Sequence, residues 1–220
     1  MRMYEDSYRH KGLRKKLVDL IREKGITDER VLNAIATIPR HFFLDSAFDE
    51  VAYEDRAFPI HAKQTISQPY TVAYQTQLLE VKPFEKILEI GTGSAYQCSV
   101  LAEMGAQVFT IERQKELFEN NKKFGFLKKY NNVKFFYGDG YEGLPTYAPF
   151  DKVIITAAAP VVPPKLIAQL KTGGKMVIPL GDSREGSQKM MRITKQAGGG
   201  TTEETFANFS FVPMKEGKEK

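Results

Sequence analysis

The sequence predicts an α/β protein: a Rossmann-like, doubly wound and mostly parallel sheet, preceded by an N-terminal helical extension and closed by a C-terminal antiparallel hairpin. Three observations predict it. From Lys86 onward, short apolar runs alternate with segments of helical spacing, which in one sheet implies right-handed parallel crossovers. The first of these runs ends in a glycine turn that opens a helix. Residues before about position 80 lack the alternation and carry helical and connecting signals instead. The chain therefore divides into a helical extension, residues 1–80, and an α/β domain, residues 81–220, that together form one compact unit.

Leu13 to Lys24 reads as an amphipathic helix, with Leu13, Leu17, Leu20 and Ile21 at helical spacing and Gly25 placed to end it in the left-handed conformation. Thr27 is placed to cap a second helix, with Asp28 and Glu29 in its first turn and Pro39 closing it. Phe42, Phe43, Leu44 and Phe48 supply bulk for packing; Val51 to Ile66 reads as extended, and a helix follows from about Pro69 to Glu80. The apolar runs Ile87 to Ile90, Val108 to Ile111, Val133 to Tyr137, Val153 to Thr156 and Met176 to Leu180 are expected as buried parallel strands. Tyr96 to Met104, Gln114 to Phe126 and Pro164 to Leu170 are the helices between them, the last opened by Pro164 near its first position. Met190 to Thr194 and Phe206 to Val212, joined by Gly198-Gly199-Gly200, form the edge hairpin.

At 220 residues the chain accommodates one α/β domain with a short extension, and its 42% hydrophobic and 27% charged residues are those of an ordinary globular protein. No stretch reaches the roughly 18 apolar residues of a membrane span; the most apolar run, Val153 to Val162, ends in prolines. Met1 to His10 mixes Arg2, Glu5, Asp6 and Arg9 without an apolar core, so no signal peptide is read there. The expected compartment is the cytoplasm, with no membrane partner. Cys98 is the single cysteine, which excludes an internal disulfide and a cysteine zinc site, and it reads as a packed small side chain. His10, His41 and His61 show no ligand-like spacing, so no metal is expected. The net charge of +5 is a weak hint of anionic partners. Basic residues cluster at Lys11 to Lys16, Lys122 to Lys129 and Lys215 to Lys220; the first cluster falls on a solvated helix face, and no nucleic-acid partner is expected.

Ile87 to Tyr96, Ile-Leu-Glu-Ile-Gly-Thr-Gly-Ser-Ala-Tyr, is a strand running into a glycine turn and then a helix. Glycines let the backbone turn sharply and approach a ligand, and the helix N-terminus offers free N–H groups. In an open α/β sheet the ligand lies at the carboxyl ends of the strands. A dinucleotide fingerprint calls for a third glycine where Tyr96 stands. Glu112 ends the second strand nineteen residues after Gly93, where a carboxylate can accept both ribose hydroxyls. Asp139, in Gly138-Asp139-Gly140 after the third strand, is placed to bond an adenine amino group. Strand-end glycines with two acids fit a cofactor that carries adenosine without phosphates. Glu89, two residues before Gly91, is assigned to the same cofactor-binding set. Three other readings stay open: a nicotinamide-dependent oxidoreductase, an amino-directed nucleic-acid methyltransferase, and a cofactor-binding module without activity. Tyr96 argues against the first. Thr156-Ala157-Ala158-Ala159-Pro160, standing where a (D/N)PP(Y/F) segment is expected, argues against the second.

Thr65-Ile66-Ser67-Gln68-Pro69 precedes a helix, and on composition alone Ser67 is its capping serine. With Ala52-Tyr53-Glu54-Asp55-Arg56-Ala57, Ile90-Gly91-Thr92-Gly93-Ser94, Gly138-Asp139-Gly140, Thr156-Ala157-Ala158-Ala159-Pro160 and Phe211-Val212-Pro213, this segment closely resembles the protein-L-isoaspartate O-methyltransferase family, over about residues 27 to 213. The resemblance implies a class I methyltransferase fold and transfer of a methyl group from S-adenosyl-L-methionine to isoaspartyl carboxylates in damaged proteins and peptides, with S-adenosyl-L-homocysteine as product. It implies that Ser67 is the active-site residue and that Thr65 and Ile66 help cover the cofactor. Gly91 and Gly93 would border its methionine part, and Glu112, Asp139 and Gly140 would hold ribose and adenine. Lys63 and Ala95 stand where family members often carry glycine; Ala95 costs little provided its φ is negative.

The chemistry asks little of the protein. An isoaspartyl carboxylate, with a reference pKa of about 4, is ionised at neutral pH and needs no general base. Charge is neutralised as a cationic donor meets the anion, so a dry site and in-line geometry suffice. Ser67 then serves as a hydrogen-bonding positioner, since no G-x-S-x-G elbow surrounds any serine. A monomer is expected, because varied protein substrates need an open site.

Overall fold

A computed structural model describes residues 5–182 and 186–219 of the chain; residues 1–4 of the N-terminal stretch and Lys220 of the basic tail lie outside it. The extension begins with α1 (Tyr8–Glu23), five residues earlier than its apolar spacing predicts, because Ser7 and His10 form a reciprocal capping box that local hydrophobicity does not reveal. Gly25 ends it with φ +101°, as expected. The next helix, α2 (Glu29–Thr37), is capped by Asp28 and not by Thr27: the Asp28 carboxylate accepts from the Arg30 N–H, while Thr27 donates its own N–H to the Gln77 side chain at 2.7 Å. The stretch from Val51 to Ile66 is extended only at β1 (Phe58–Pro59) and β2 (Thr65–Ile66), which pair antiparallel around a short 3₁₀ turn, His61–Lys63. Helix α3 (Pro69–Leu79) follows.

The α/β part runs β3 (Lys86–Ile90), α4 (Tyr96–Glu103), β4 (Gln107–Glu112), α5 (Lys115–Lys123), β5 (Val133–Tyr137), β6 (Phe150–Ile155), α6 (Pro164–Ala168), β7 (Leu170–Leu180), β8 (Gln188–Lys195) and β9 (Thr201–Phe209). Every predicted strand is present. Their spatial order is β5-β4-β3-β6-β7-β8-β9, with β3 to β7 parallel and β8 and β9 antiparallel at one edge. The order reverses at β3, so the crevice between the ends of β3 and β6 is the topological switch point where ligands bind in such sheets.

Side-chain alternation along the strands builds a core on each face of the sheet. Ile87, Val108, Ile154 and Val177 face the cluster that takes in α1 to α4, including Leu17, Ile21, Ile35 and Leu79. Leu88, Ile90, Phe109, Ile111 and Val153 pack with Leu166 of α6 on the other face. The helical extension therefore shares a core with the sheet. Phe124 and Phe126 join it through edge contacts with Phe43, and Cys98 is fully buried there, the latter as the sequence suggests. No described helix is long and apolar enough to cross a membrane.

Candidate functional site

At the switch point the chain leaves β3 with Gly91 at φ +94° and Gly93 at φ +53°, conformations that favour glycine. The Gly91 and Thr92 N–H groups bond the Ile111 carbonyl, and the Gly93 N–H donates to Glu112 Oε2 at 2.8 Å. A Cβ on Gly91 would sit 2.6 Å from Thr156 Oγ1, so glycine is required there on two counts. Ala95 has φ +68°, contrary to the negative angle expected, and it holds that left-handed conformation at the N-terminus of α4.

These turns floor a cavity of about 530 Å³. Seven of the predicted residues line it: Thr65, Ile66, Ser67, Gly91, Gly93, Glu112 and Gly140. Glu112 is 5% exposed, and burial pushes its carboxyl upward against the pull of the Gln114 and Gly93 N–H groups. Asp139 is not in the lining. Its carboxylate accepts from the Tyr141 N–H at 2.9 Å and from the Gly217 N–H at 2.7 Å, so the C-terminal segment is tied down beside the cavity, where Met214, Lys215 and Glu219 form part of the wall. Glu89 is not in the lining either. It is fully buried in β3 and accepts from Thr110 Oγ1, which lies 2.6 Å from Thr92 Oγ1 in the glycine loop.

Ser67 is not the cap of α3. Gln68 takes the cap position without a side-chain bond, Pro69 is the first helical residue, and the free Tyr70 N–H is taken by Asp55 Oδ1 at 2.8 Å. This leaves the serine hydroxyl out of helix capping. Ser67 instead lies where the cofactor-type cavity meets a second one of about 670 Å³, lined among others by Lys24, Tyr70, Asn208 and Phe209. Thr65, Thr156 and Val212 are the other residues common to both cavities.

Sequence reading missed several polar groups, some around this junction and some away from it. Gln97 lines the first cavity with a buried Oε1 that has no hydrogen-bond partner among the described residues. Asp55 and Arg40 brace the Ser67 segment from behind; the place of Asp55 in the matching A-Y-E-D-R-A block could have flagged it, while Arg40 lies outside every matching block. His10 and His41, thirty-one positions apart in sequence, stack at 3.8 Å with Asp6 close by, a grouping that spacing could not reveal. Their ring nitrogens contact Ser7, Asp49, Tyr53 and the Glu5 carbonyl, so the pair works as a polar clasp holding the start of the chain to the segment after α2.

The cavity's donor set suits an adenosyl cofactor. Among its buried polar groups Glu112 and the unmatched Gln97 oxygen are acceptors, which serve hydroxyls, ammonium and sulfonium better than phosphates. Ile66, Val72, Ile90 and Ile111 supply the apolar walls. A doubly wound sheet with this loop and these acceptors defines a methyltransferase of the class that uses S-adenosyl-L-methionine. A family model for protein-L-isoaspartate(D-aspartate) O-methyltransferase matches residues 12–219. A protein-L-isoaspartate O-methyltransferase of Cytophaga hutchinsonii is 58% identical over 210 residues, covering 96% of this chain and 94% of that one. One from Christiangramia forsetii is 51% identical, covering 97% of this chain and 99% of its own. A Plasmodium falciparum structure assigned to the same activity, in complex with S-adenosyl-L-homocysteine, superposes with a TM-score of 0.78 at 27% identity, covering 92% of this chain and 98% of that one. The chain belongs to the protein-L-isoaspartate(D-aspartate) O-methyltransferase family.

Proposed function

We propose that this chain methylates the free carboxylate of L-isoaspartyl residues in damaged proteins and peptides, the step that initiates their repair. Family membership supports the activity; the observation that carries the reading at residue level is the position of Ser67 at the junction of two cavities. The first cavity takes the cofactor and the second takes the peptide, so donor and acceptor meet at the serine.

The cofactor supplies a methyl group on sulfonium, which passes in line to the carboxylate oxygen while the C–S electron pair returns to sulfur, leaving a methyl ester and S-adenosyl-L-homocysteine. Ser67 donates a hydrogen bond that turns the carboxylate toward the incoming carbon. Thr65 and Ile66 cover the cofactor, Gly91 and Gly93 border its methionine part, and Glu112 and Gly140 hold ribose and adenine, with Asp139 acting from beside the cavity by pinning the C-terminal wall through the Gly217 N–H. Glu89 acts from beneath the loop, through Thr110 and Thr92. Closing the cavity walls around the reacting pair excludes water and favours the neutralisation of charge. Residues 1–80 supply the substrate-side segment and 81–220 the cofactor-binding domain. The protein works as a monomer in the cytoplasm on protein substrates, without nucleic acid.

Radiolabelled methyl transfer to matched aspartyl and isoaspartyl peptides tests the activity, with incorporation expected only into the latter. Ser67→Ala is expected to lower kcat by roughly 10–100-fold, the scale of a lost hydrogen bond to a charged group, while S-adenosyl-L-homocysteine affinity holds. Equal labelling of both peptides, or full activity of the variant, rejects the reading.

A further inference from the structure

We propose that Arg40 is a positioning residue for methyl transfer: its buried guanidinium locks the Ser67 main chain against the first turn of α4 and so sets the gap between the serine and the cofactor loop. The inference rests on the reading of Ser67 above and deepens it.

Arg40 is fully buried. Its Nη2 donates to the Ser67 carbonyl at 2.8 Å and, at 3.5 Å, to the Arg56 carbonyl; Nε donates to the Ala52 carbonyl at 3.1 Å. The guanidinium carbon lies 4.9 Å from the centre of the Tyr96 ring, and Tyr96 is the first residue of α4, immediately after the glycine loop. One side chain thus ties together the A-Y-E-D-R-A block, the reactive serine and the cofactor loop. From the other side Asp55 takes the Tyr70 N–H and the Gln68 amide, so the Ser67-Gln68 link is gripped at both ends.

Burying this cation is costly. Desolvation lowers its pKa to about 10, against the pull of the Tyr96 phenol and the Asp55 carboxylate, and it stays charged at neutral pH. Among the described residues no carboxylate forms an ion pair with it, and Nη1 has no hydrogen-bond partner. Buried ions are commonly replaceable by apolar residues without loss of stability, so stability alone is a poor account of this arginine. Its planar fork reaches three carbonyls from two separate segments, which the three N–H groups of a lysine, all on one nitrogen, cannot do.

A double-mutant cycle of Arg40→Lys with Ser67→Ala tests this, each variant checked for melting midpoint and for S-adenosyl-L-homocysteine affinity. Arg40→Lys is expected to bind that ligand within about threefold of the parent while kcat on an isoaspartyl peptide falls by roughly 10–100-fold, the scale of an ångström-sized misplacement. Adding Ser67→Ala then costs little more, because the hydroxyl is already out of line. Losses that multiply mean that Arg40 supports the fold in general, and the proposal fails while the role of Ser67 stands. A fully active Ser67→Ala protein takes both down. If Arg40→Lys does not fold, Tyr96→Leu removes the ring that supports the guanidinium; the same non-additivity with Ser67→Ala is expected, and multiplied losses there overturn the proposal equally.

Discussion

Glu89 offers the sharpest physical test of the loop. Its carboxyl is fully buried, one oxygen accepts from Thr110 and the other, Oε1, has no partner among the described residues. Burial is the main reason its pKa rises from an ordinary 4.5 to about 8; the Thr110 hydrogen bond works against the rise and the nearby Glu112 charge adds to it. Between these two values the unfolded chain releases the proton and the folded protein keeps it. Folding therefore takes up a proton in that window, and stability falls as pH rises through it. Glu89→Gln removes the titration and keeps the shape. Each pH unit is worth about 1.4 kcal/mol, so between about pH 5 and pH 7 the variant should gain about 3 kcal/mol on the parent. In a chain of this length that corresponds to roughly 5–12 °C in melting midpoint.

The assay is a pair of thermal melts followed across pH, and its readout is the difference between variant and parent. That difference removes the titration of every group the two proteins share. It should grow from about pH 5, flatten above about pH 8, and be insensitive to salt, since a buried group is poorly screened. A difference that stays constant over the range would falsify the claim that Glu89 is protonated in the folded protein, whatever its absolute size.

Three further outcomes test the site. Glu112→Ala should weaken S-adenosyl-L-homocysteine binding by roughly 1–3 kcal/mol, the usual cost of a lost charged hydrogen bond; unchanged affinity by calorimetry removes Glu112 from the site. Gly91→Ala combines a φ of +94° with a Cβ 2.6 Å from Thr156 Oγ1 and should lower stability by about 3 kcal/mol; an unaltered denaturant midpoint would show that the loop is not held in this conformation. Lys63→Gly relieves a φ of +55° on an exposed residue at the cavity mouth and should raise stability by about 1 kcal/mol; a lower midpoint would mean that the lysine side chain contributes more than its backbone costs.

The sheet was legible because central parallel strands buried on both faces announce themselves as apolar runs; Val133–Tyr137 was placed to the residue, but it forms the sheet edge and is only partly buried, not buried as expected. Boundaries slipped where hydrogen bonds outside the hydrophobic pattern decided them. Ser7 starts α1 early through His10, and the Gln77 side chain takes the Thr27 N–H and leaves the capping to Asp28. Strand β7 begins six residues before the predicted Met176, because the stretch from Leu170 through Gly173-Gly174 follows β6 through an irregular register with no hydrophobic signature. The last two depend on contacts between residues far apart in sequence, and local periodicity carries no record of any of the three.

The site divides along the same line, and Ser67, misplaced locally as a helix cap, shows why. A serine two residues before a helical proline obeys the local rule for an N-cap. The structure breaks that rule by bringing Asp55 to the Tyr70 N–H, fifteen positions away, and Arg40 to the Ser67 carbonyl, twenty-seven away. The helix end is satisfied from outside, so the hydroxyl is not consumed in capping and the residue can face two cavities. Local rules fail at Ala95 for a related reason: a left-handed alanine persists at the head of α4 because the residue is itself fully buried and the packing around it over-determines its conformation. Departures from local preference thus gather around the cofactor loop and the serine segment. On the proposed reading, that is where a reaction without a general base puts its effort, in holding two reactants in line, and the long-range contacts that shape those segments are the ones a single-sequence reading is least equipped to see.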